Sequence, residues 1–366
     1  MVYLQNMYIP QARLHNQLLT QSVKKTPAED VVSWFGAIQA QDFAAAKWAI
    51  AMRCNQTDAH IEQAFNEGKI LRTHIMRPTW HFVTPMDIHW ILALTSHRVH
   101  RFNGSYYRKS GLDKTIFEKS NKVIRKAFEK NKQLTRVELN DYLKRAHIPT
   151  EDLGLTYTIM QAELDGVIVS GPRRGKQFTY MLLDERVPVT KSFTNDEALY
   201  ELTKRYFQSH GPAQEIDFSW WSGLTLTEVR KGINLLGSKL QKHEHNAKTY
   251  FLCVTKPENP SDSVYLIPGF DEYFIAYTDR SDVLDKNYAK ELNQGGGMVS
   301  GAVVVNGHMV GGWRRTFEKK SVVLSIRLFE TISRTQEQLL NKQIEAFETF
   351  IGMPSKLVQK ETYMRK

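Results

Sequence analysis

Cysteine is scarce in this chain, with two residues, Cys54 and Cys253, among 366. They lie far apart, and neither belongs to a Cys-x-x-Cys pair or to a Cys/His pattern of metal-ligand spacing, so no disulfide framework and no zinc site is expected. Both read as reduced core thiols of a cytoplasmic protein. Long apolar runs are missing too. No stretch reaches the length of a transmembrane helix, and the opening MVYLQNMYIPQARLHNQ lacks the apolar core of a secretion signal. A phosphate-cradling glycine loop is also absent, because no helix start follows Gly295-Gly296-Gly297, which reads as a flexible loop. No lysine stands out as a Schiff-base nucleophile. No metal, no cofactor and no membrane partner is therefore expected.

What the chain does have is positive charge: 49 Lys and Arg against 39 Asp and Glu, a formal net charge of +10. Such a balance suggests a polyanionic partner such as nucleic acid. Apolar residues make up 42%, enough for proper cores, and the length suits two to four compact units.

Three segments follow one plan of helices and then short strands. In the first, Pro27 opens a helix, Val31, Val32, Phe35 and Ile38 recur at helical spacing, and Asp42 to Met52 and Thr57 to Phe65 predict two more helices, the last capped by Gly68. Ile70–Met76 and Thr79–Val83 read as strands joined by Arg77-Pro78. In the second, helices over Lys114–Lys130, Val137–Ala146 and Leu155–Leu164 precede strands at Val167–Val169 and Phe178–Leu182, with the basic turn Gly171-Pro172-Arg173-Arg174-Gly175-Lys176 between them. Ile61-Glu62-Gln63-Ala64 before Gly68 echoes Ile159-Met160-Gln161-Ala162 before Gly166, as a repeated unit would. The third has helices over Glu197–Ser209, Ala213–Trp221 and Thr227–Leu236 and a strand over Lys248–Val254. After the loop 256–263, strands at Val264–Ile267, Gly301–Val305, His308–Arg314 and Val322–Leu328 lead to a helix over Thr335–Ile351, with Asn306-Gly307 as a hairpin turn.

Helix–helix–helix–strand–basic turn–strand is the outline of a winged helix, in which the third helix can enter the major groove while the basic wing meets phosphate. The expected fold is therefore α+β: tandem winged-helix units with a C-terminal, mainly β, barrel-like unit and a terminal helix. The expected boundaries are 1–110, 111–192, 193–254 and 255–366. Winged helices also serve as scaffolds and protein-binding units, so the outline alone does not fix a function.

The most informative stretch is Gln39-Ala40-Gln41-Asp42, where one amphipathic segment stops and another begins. Residues two apart point to opposite sides of a helix but to the same side of extended chain. The two amides converge only if the backbone leaves the helix there, and Asp42 is a good N-cap for the helix that follows. The plain alternative is two solvated glutamines on a turn.

Several separated pieces together resemble a family, the winged-helix DNA glycosylases of the AlkZ type, with the YcaQ type as a sister group. They are Gln39-Ala40-Gln41-Asp42; Arg77-Pro78-Thr79-Trp80-His81; His210-Gly211-Pro212-Ala213 with Trp220-Trp221-Ser222-Gly223-Leu224; the run from Gly269 to Arg280; and Val310-Gly311-Gly312-Trp313-Arg314-Arg315. They cover most of the chain in order. In the YcaQ type the second glutamine is replaced by Asp, so Gln41 sets this chain nearer the AlkZ type. The resemblance implies a monomer of tandem winged helices and a C-terminal β-barrel, curved around double-stranded DNA, that removes bulky N7-alkylated purines, in some members crosslinked ones.

That chemistry suits neutral amides. An N7-alkylpurine is already cationic and leaves readily, so the protein needs mainly to aim a water at C1′, and orientation alone supplies several kcal/mol. Gln39 and Gln41 are the expected catalytic pair, with Thr79 and His81 in the cleft. Arg77, Arg173, Arg174, Lys176, Arg314 and Arg315 are the expected DNA contacts. Asp271 and Arg280 are expected to form a structural ion pair. The competing class is a winged-helix DNA-binding protein without catalysis, such as a transcription factor or a lesion binder.

Overall fold

Three times along the chain a helix is followed by a very short strand or bridge, two more helices and a hairpin. Each time the short piece pairs with the second strand of that hairpin. This is seen in a computed structural model, which describes residues 8–20, 24–188, 192–253, 262–293 and 301–362. After α1 (Ile9–Asn16), the first repeat runs α2 (Ala28–Phe35), β1 (Ile38–Gln39), α3 (Phe43–Cys54), α4 (Asp58–Asn66), β2 (Leu71–Ile75) and β3 (Arg77–Val83). The long α5 (Ile88–Lys109) leads to the second: α6 (Lys114–Phe128), β4 (Leu134–Thr135), α7 (Arg136–Arg145), α8 (Gly154–Leu164), β5 (Ile168–Ser170) and β6 (Thr179–Leu182). The sheets are ordered β1-β3-β2 and β4-β6-β5, all antiparallel. A short α9 (Leu183–Arg186) precedes the third repeat: α10 (Asn195–Ser209), the bridge of Ala213 to Phe251, α11 (Glu215–Ser222), α12 (Leu226–Leu236), β7 (Leu240–His245) and β8 (Lys248–Cys253).

The remainder comprises β9 (Val264–Ile267), α13 (Glu272–Ile275), α14 (Lys286–Asn293), β10 (Gly301–Val305), β11 (His308–Phe317), β12 (Val322–Leu328), α15 (Arg334–Ile351) and β13 (Ser355–Thr362). Its five-stranded sheet, ordered β13-β12-β11-β10-β9, is open at both ends and curls into a half-barrel. The chain is thus α+β. Asn306 and Gly307 both take positive φ, 52° and 88°, at the β10–β11 hairpin, which is the backbone that Asn-Gly turns supply.

Local chemistry sets most boundaries. Capping boxes at Thr135/Glu138, Thr194/Glu197, Thr225/Glu228 and Ser333/Gln336 start α7, α10, α12 and α15. Gly68 and Gly166, the two glycines of the sequence echo, follow the corresponding helices α4 and α8 with φ of 81° and 66°. Elsewhere the sequence expectations need correction. The first helix stops at Phe35, because Gly36 turns at φ 81°, and Ile38 is in a strand. Arg77 and Pro78 belong to β3, and the reversal is at Met76, φ 62°. Helices α1 and α5 and strands β1, β4 and β7 had no counterpart in the sequence reading. The expected loop 256–263 lies mostly, and the glycine run 295–297 wholly, outside the described residues.

One core belongs to a single repeat and two are shared between segments. The second repeat has its own core, built on Ile124, Phe128, Leu139, Leu143, Ile159 and Ile168. The first repeat shares one core with the C-terminal sheet, where Trp48 packs on Phe347 and Phe350 and donates its indole N–H to the Leu266 carbonyl at 2.8 Å. Its sheet's other face shares a second core with α5 and the third repeat. The approach is close at Gly223, where a Cβ would stand 2.6 Å from the Met76 carbonyl oxygen. Both faces of the β1-β3-β2 sheet are therefore covered. Among the described residues no helix is long and apolar enough to cross a membrane.

Candidate active site

The chain leaves the helix between Phe35 and Phe43, as convergence of the amides requires. Ile38 pairs with Phe82 and Gln39 with His81, and the Ala40 N–H meets the Trp80 carbonyl at 2.7 Å. There the ladder ends. The Trp80 N–H that would continue it is taken by the Gln41 side-chain oxygen at 3.4 Å. Arg72 donates Nε to the Ala40 carbonyl at 2.9 Å and Nη2 to that of Gln41 at 3.4 Å, with its guanidinium over the Trp80 and Phe178 rings. β1 is an edge strand, and the Gln39 N–H that points off its edge is received by Glu272 Oε1 at 2.7 Å. Asp42 caps α3 as expected, accepting the Ala45 N–H at 3.0 Å.

Register places the side chains. Directly opposite residues of an antiparallel pair share a face, so Gln39, His81 and Thr73 form one cross-strand row, and Thr79, two residues from His81, lies on the same face. The alternate row, Ile38 and Phe82, faces the other core. Gln39 is 7% exposed. Its Oε1, Thr79 Oγ1, His81 Nε2, and Arg77 Nε and Nη2 are all shielded and have no hydrogen-bond partner among the described residues. Buried polar atoms are paired in the great majority of cases, so five such atoms along one face mark it out.

His81 has a defined tautomer. Its Nδ1 lies 2.9 Å from the Thr79 carbonyl oxygen, which can only accept, so Nδ1 carries the proton and Nε2 is left as an acceptor. Burial, then the Arg77 charge, pull its pKa down to about 3, and the ring is neutral at pH 7. Gln39 Oε1 and His81 Nε2 are thus two neutral acceptors on paired residues. At the edge of β1, Glu272 Oε2 accepts from the Trp221 indole at 2.8 Å and from His210 Nε2 at 3.2 Å. Burial works against its ionisation, but His210, the Gln39 N–H and Arg77 outweigh this and hold its pKa below the usual value.

The other expected residues are distributed differently. The two glutamines are not equivalent: Gln39 is enclosed, whereas Gln41 lies beyond the end of the ladder and is exposed. Arg77 is half-buried rather than displayed on the surface. Arg173 is half-buried, its Nη1 3.2 Å from Glu62, its Nη2 on the Lys176 carbonyl at 2.8 Å and its charge over Phe43 and Phe178. Arg174 pairs with Glu138 at 2.8 Å, and the Lys176 side chain is exposed. Arg315 turns inward to within 3.9 Å of Asp42, while Arg314 is exposed. The expected partner of Asp271 is replaced: Arg53 grips its carboxylate with two bonds of 2.8 Å. Arg280 instead donates Nε to the Phe274 carbonyl at 2.8 Å. His74 is bonded to Glu163 and lies against Trp80, outside the polar row. The sequence reading missed Arg72 and Glu272 as holders of the motif. Glu272 stood within the family-like run Gly269–Arg280, which was the one available signal. Among the described residues no group of three or more His, Cys, Asp or Glu could hold a metal.

Comparison with known proteins gives three findings. A family profile described as "DNA glycosylase AlkZ-like" matches residues 32–350. The fold is similar to that of Streptomyces sahachiroi DNA glycosylase AlkZ, with a TM-score of 0.78 and 22% sequence identity over 95% of this chain and 98% of that one. No curated protein matches the sequence.

Proposed function

The chain belongs to the AlkZ-like DNA glycosylase family, and from that premise we propose that it hydrolyses the N-glycosidic bond of cationic N7-alkylated purines in double-stranded DNA, bulky adducts included. The observation that carries this reading is the pair of unpartnered neutral acceptors, Gln39 Oε1 and His81 Nε2, on directly opposed residues. Two acceptors hold both hydrogens of one water and leave an oxygen lone pair free to attack. Each acceptor is too weak a base to ionise the water alone, so the pair works by orientation. The row offers no ordinary general acid: His81 is neutral with its proton committed to a carbonyl, and Glu272 is held ionised. A base that departs as a neutral purine from a cationic adduct needs none, whereas uracil or hypoxanthine would.

On this reading deoxyribose enters where Gln41, Thr79 and Trp80 are accessible, and Gln41 orients it from the rim. The three repeats are winged helices, and the β5–β6 turn is the wing of the second, with Lys176 as its phosphate-facing cation; Arg314, exposed on β11, is a second phosphate contact. Arg173 and Arg174 shape the turn. Duplex containing N7-methylguanine tests the proposal through free-base release by the wild type, Gln39→Ala and Gln41→Ala. Release by the wild type and its loss in Gln39→Ala with binding retained is the expected result. The shielding of Gln39 Oε1 favours one second reading, a lesion binder without turnover, and wild-type binding with no released base would establish that instead.

A further inference from the structure

Three of the stretches that resemble the family have no role in the chemistry above: His210-Gly211-Pro212, Trp220-Trp221 and the run around Asp271-Glu272. They meet at one carboxylate. Glu272 opens α13 directly after its cap, Asp271, and is 1% exposed. Its Oε1 takes the Gln39 N–H at 2.7 Å, and its Oε2 takes Trp221 Nε1 at 2.8 Å and His210 Nε2 at 3.2 Å. His210 is fully buried at the end of α10, and Trp221 fully buried in α11. The third repeat thus holds the carboxylate, and the carboxylate holds the backbone of Gln39.

A charge in such a place is costly to bury and is retained only where surrounding groups compensate it. Three donors do so here. They leave the carboxylate at the edge of the strand that bears Gln39, near enough to His81 and Arg77 to act on the charge of each. Resting on the base-excision reading above, we propose that Glu272 is a positioning residue of the site: it fixes Gln39 through its backbone N–H and keeps a negative charge beside the polar row at which the sugar becomes cationic. Preorganised charge of this kind acts more on the transition state, where positive charge moves onto the sugar, than on the bound adduct, whose charge sits on the purine. It also supplies from the C-terminal region the anionic character that Gln41, being an amide, does not.

The charged and titratable groups facing Glu272 are His210, Arg77 and His81, with the phenols of Tyr206 and Tyr277. Glu272→Gln keeps the shape and removes the charge. The expected result is single-turnover release from N7-methylguanine duplex slowed by roughly a hundredfold, with duplex affinity within about twofold of wild type. Release as fast as wild type, or a loss wholly accounted for by weaker binding, overturns the proposal. Trp221→Phe gives a second measurement should that variant fail to fold. Losing one donor raises the proton affinity of the carboxylate, so the acid limb of the rate–pH profile moves to higher pH; a limb that stays in place is equally fatal. A wild type that releases no base removes the underlying excision reading, a result distinct from an active wild type matched by Glu272→Gln.

Discussion

The first and second repeats share an element order and a sheet order, yet differ at one junction. In the second, β4 ends at Thr135, which is itself the cap of α7, with Thr135 and Glu138 satisfying each other. In the first, β1 ends at Gln39 while the cap of α3 is Asp42, so Ala40 and Gln41 stand between strand and helix. Those extra residues carry the carbonyls that Arg72 holds, and the strand beside them carries the unpartnered acceptors. The surroundings differ in the same sense. The second repeat has a core of its own, with Val169 and Phe178 reaching its neighbours' cores, whereas the first lies between two shared cores that cover both faces of its sheet. A repeat that completes its own core and caps is a scaffold; the one stretched between neighbours can present polar groups that its neighbours, not its own helices, keep in place.

The contrast can be broken at several points. The largest effect is expected where the first repeat is tied to the C-terminal region. Arg53→Met leaves Asp271 buried without its guanidinium and should destabilise the fold by about 3–5 kcal/mol, whereas Arg174→Ala, which breaks a surface pair of the second repeat, should cost less than about 1 kcal/mol. Urea denaturation decides, and equal losses would erase the distinction between the ties.

Next comes the junction itself. Gln39→Ala should slow base release by about 10²–10³-fold, as removal of a preorganised polar group does, and Gln41→Ala by only about tenfold because its amide is exposed. Single-turnover rates that rank the other way would place the essential amide at the rim.

Burial of His81 has a pH signature. Its pKa is about 3 in the fold against an ordinary 6.5, so the unfolded chain gains a proton that the folded chain refuses. Stability should be complete above about pH 6.5 and fall as pH drops toward about 3, by at most about 1.4 kcal/mol per unit. His81→Gln should flatten this limb; urea midpoints at about pH 7 and about pH 4.5 that change equally in both chains would contradict it.

Smaller still, Thr135→Ala in the second repeat removes a capping box and should cost about 1 kcal/mol of stability. Its release rate should equal that of the wild type, and a slowed rate would show the second junction to be more than scaffold. The smallest effect is expected at the turn, where Lys176→Gln should reduce the slope of log affinity against log salt by about one. An unchanged slope would remove Lys176 from the DNA contact.

Much of the fold was legible. The strands Val264–Ile267, Gly301–Val305 and Val322–Leu328 and the Asn306-Gly307 turn stand where alternation and turn chemistry put them. The Gly68 and Gly166 echo marks corresponding helices. What escaped has an identifiable cause. β1 and β4 are two residues long and exist only through partners more than forty residues away, so no local period announces them. α5 contains Gly104 and a scatter of Ser, Thr, Asn and His, weak helix formers that its packing on α8, α10 and β2 overrides. At the site, Gln39, Gln41, Thr79 and His81 were legible as residues. Their unequal exposure was not, because it depends on where the ladder stops.

The sequence by itself determined the break between α2 and α3, since Gly36 and Asp42 end one helix and start the next, together with the helix caps, the hairpins and the repeated order of elements. These are settled by residues within a few positions of one another. Only the tertiary structure decided that Arg53 rather than Arg280 takes Asp271, that Arg72 and Glu272 clamp the Gln39–Gln41 backbone, and that His81 is a neutral acceptor. Those outcomes depend on which buried groups meet across distant segments, where desolvation makes each polar atom's choice of partner a property of the whole fold.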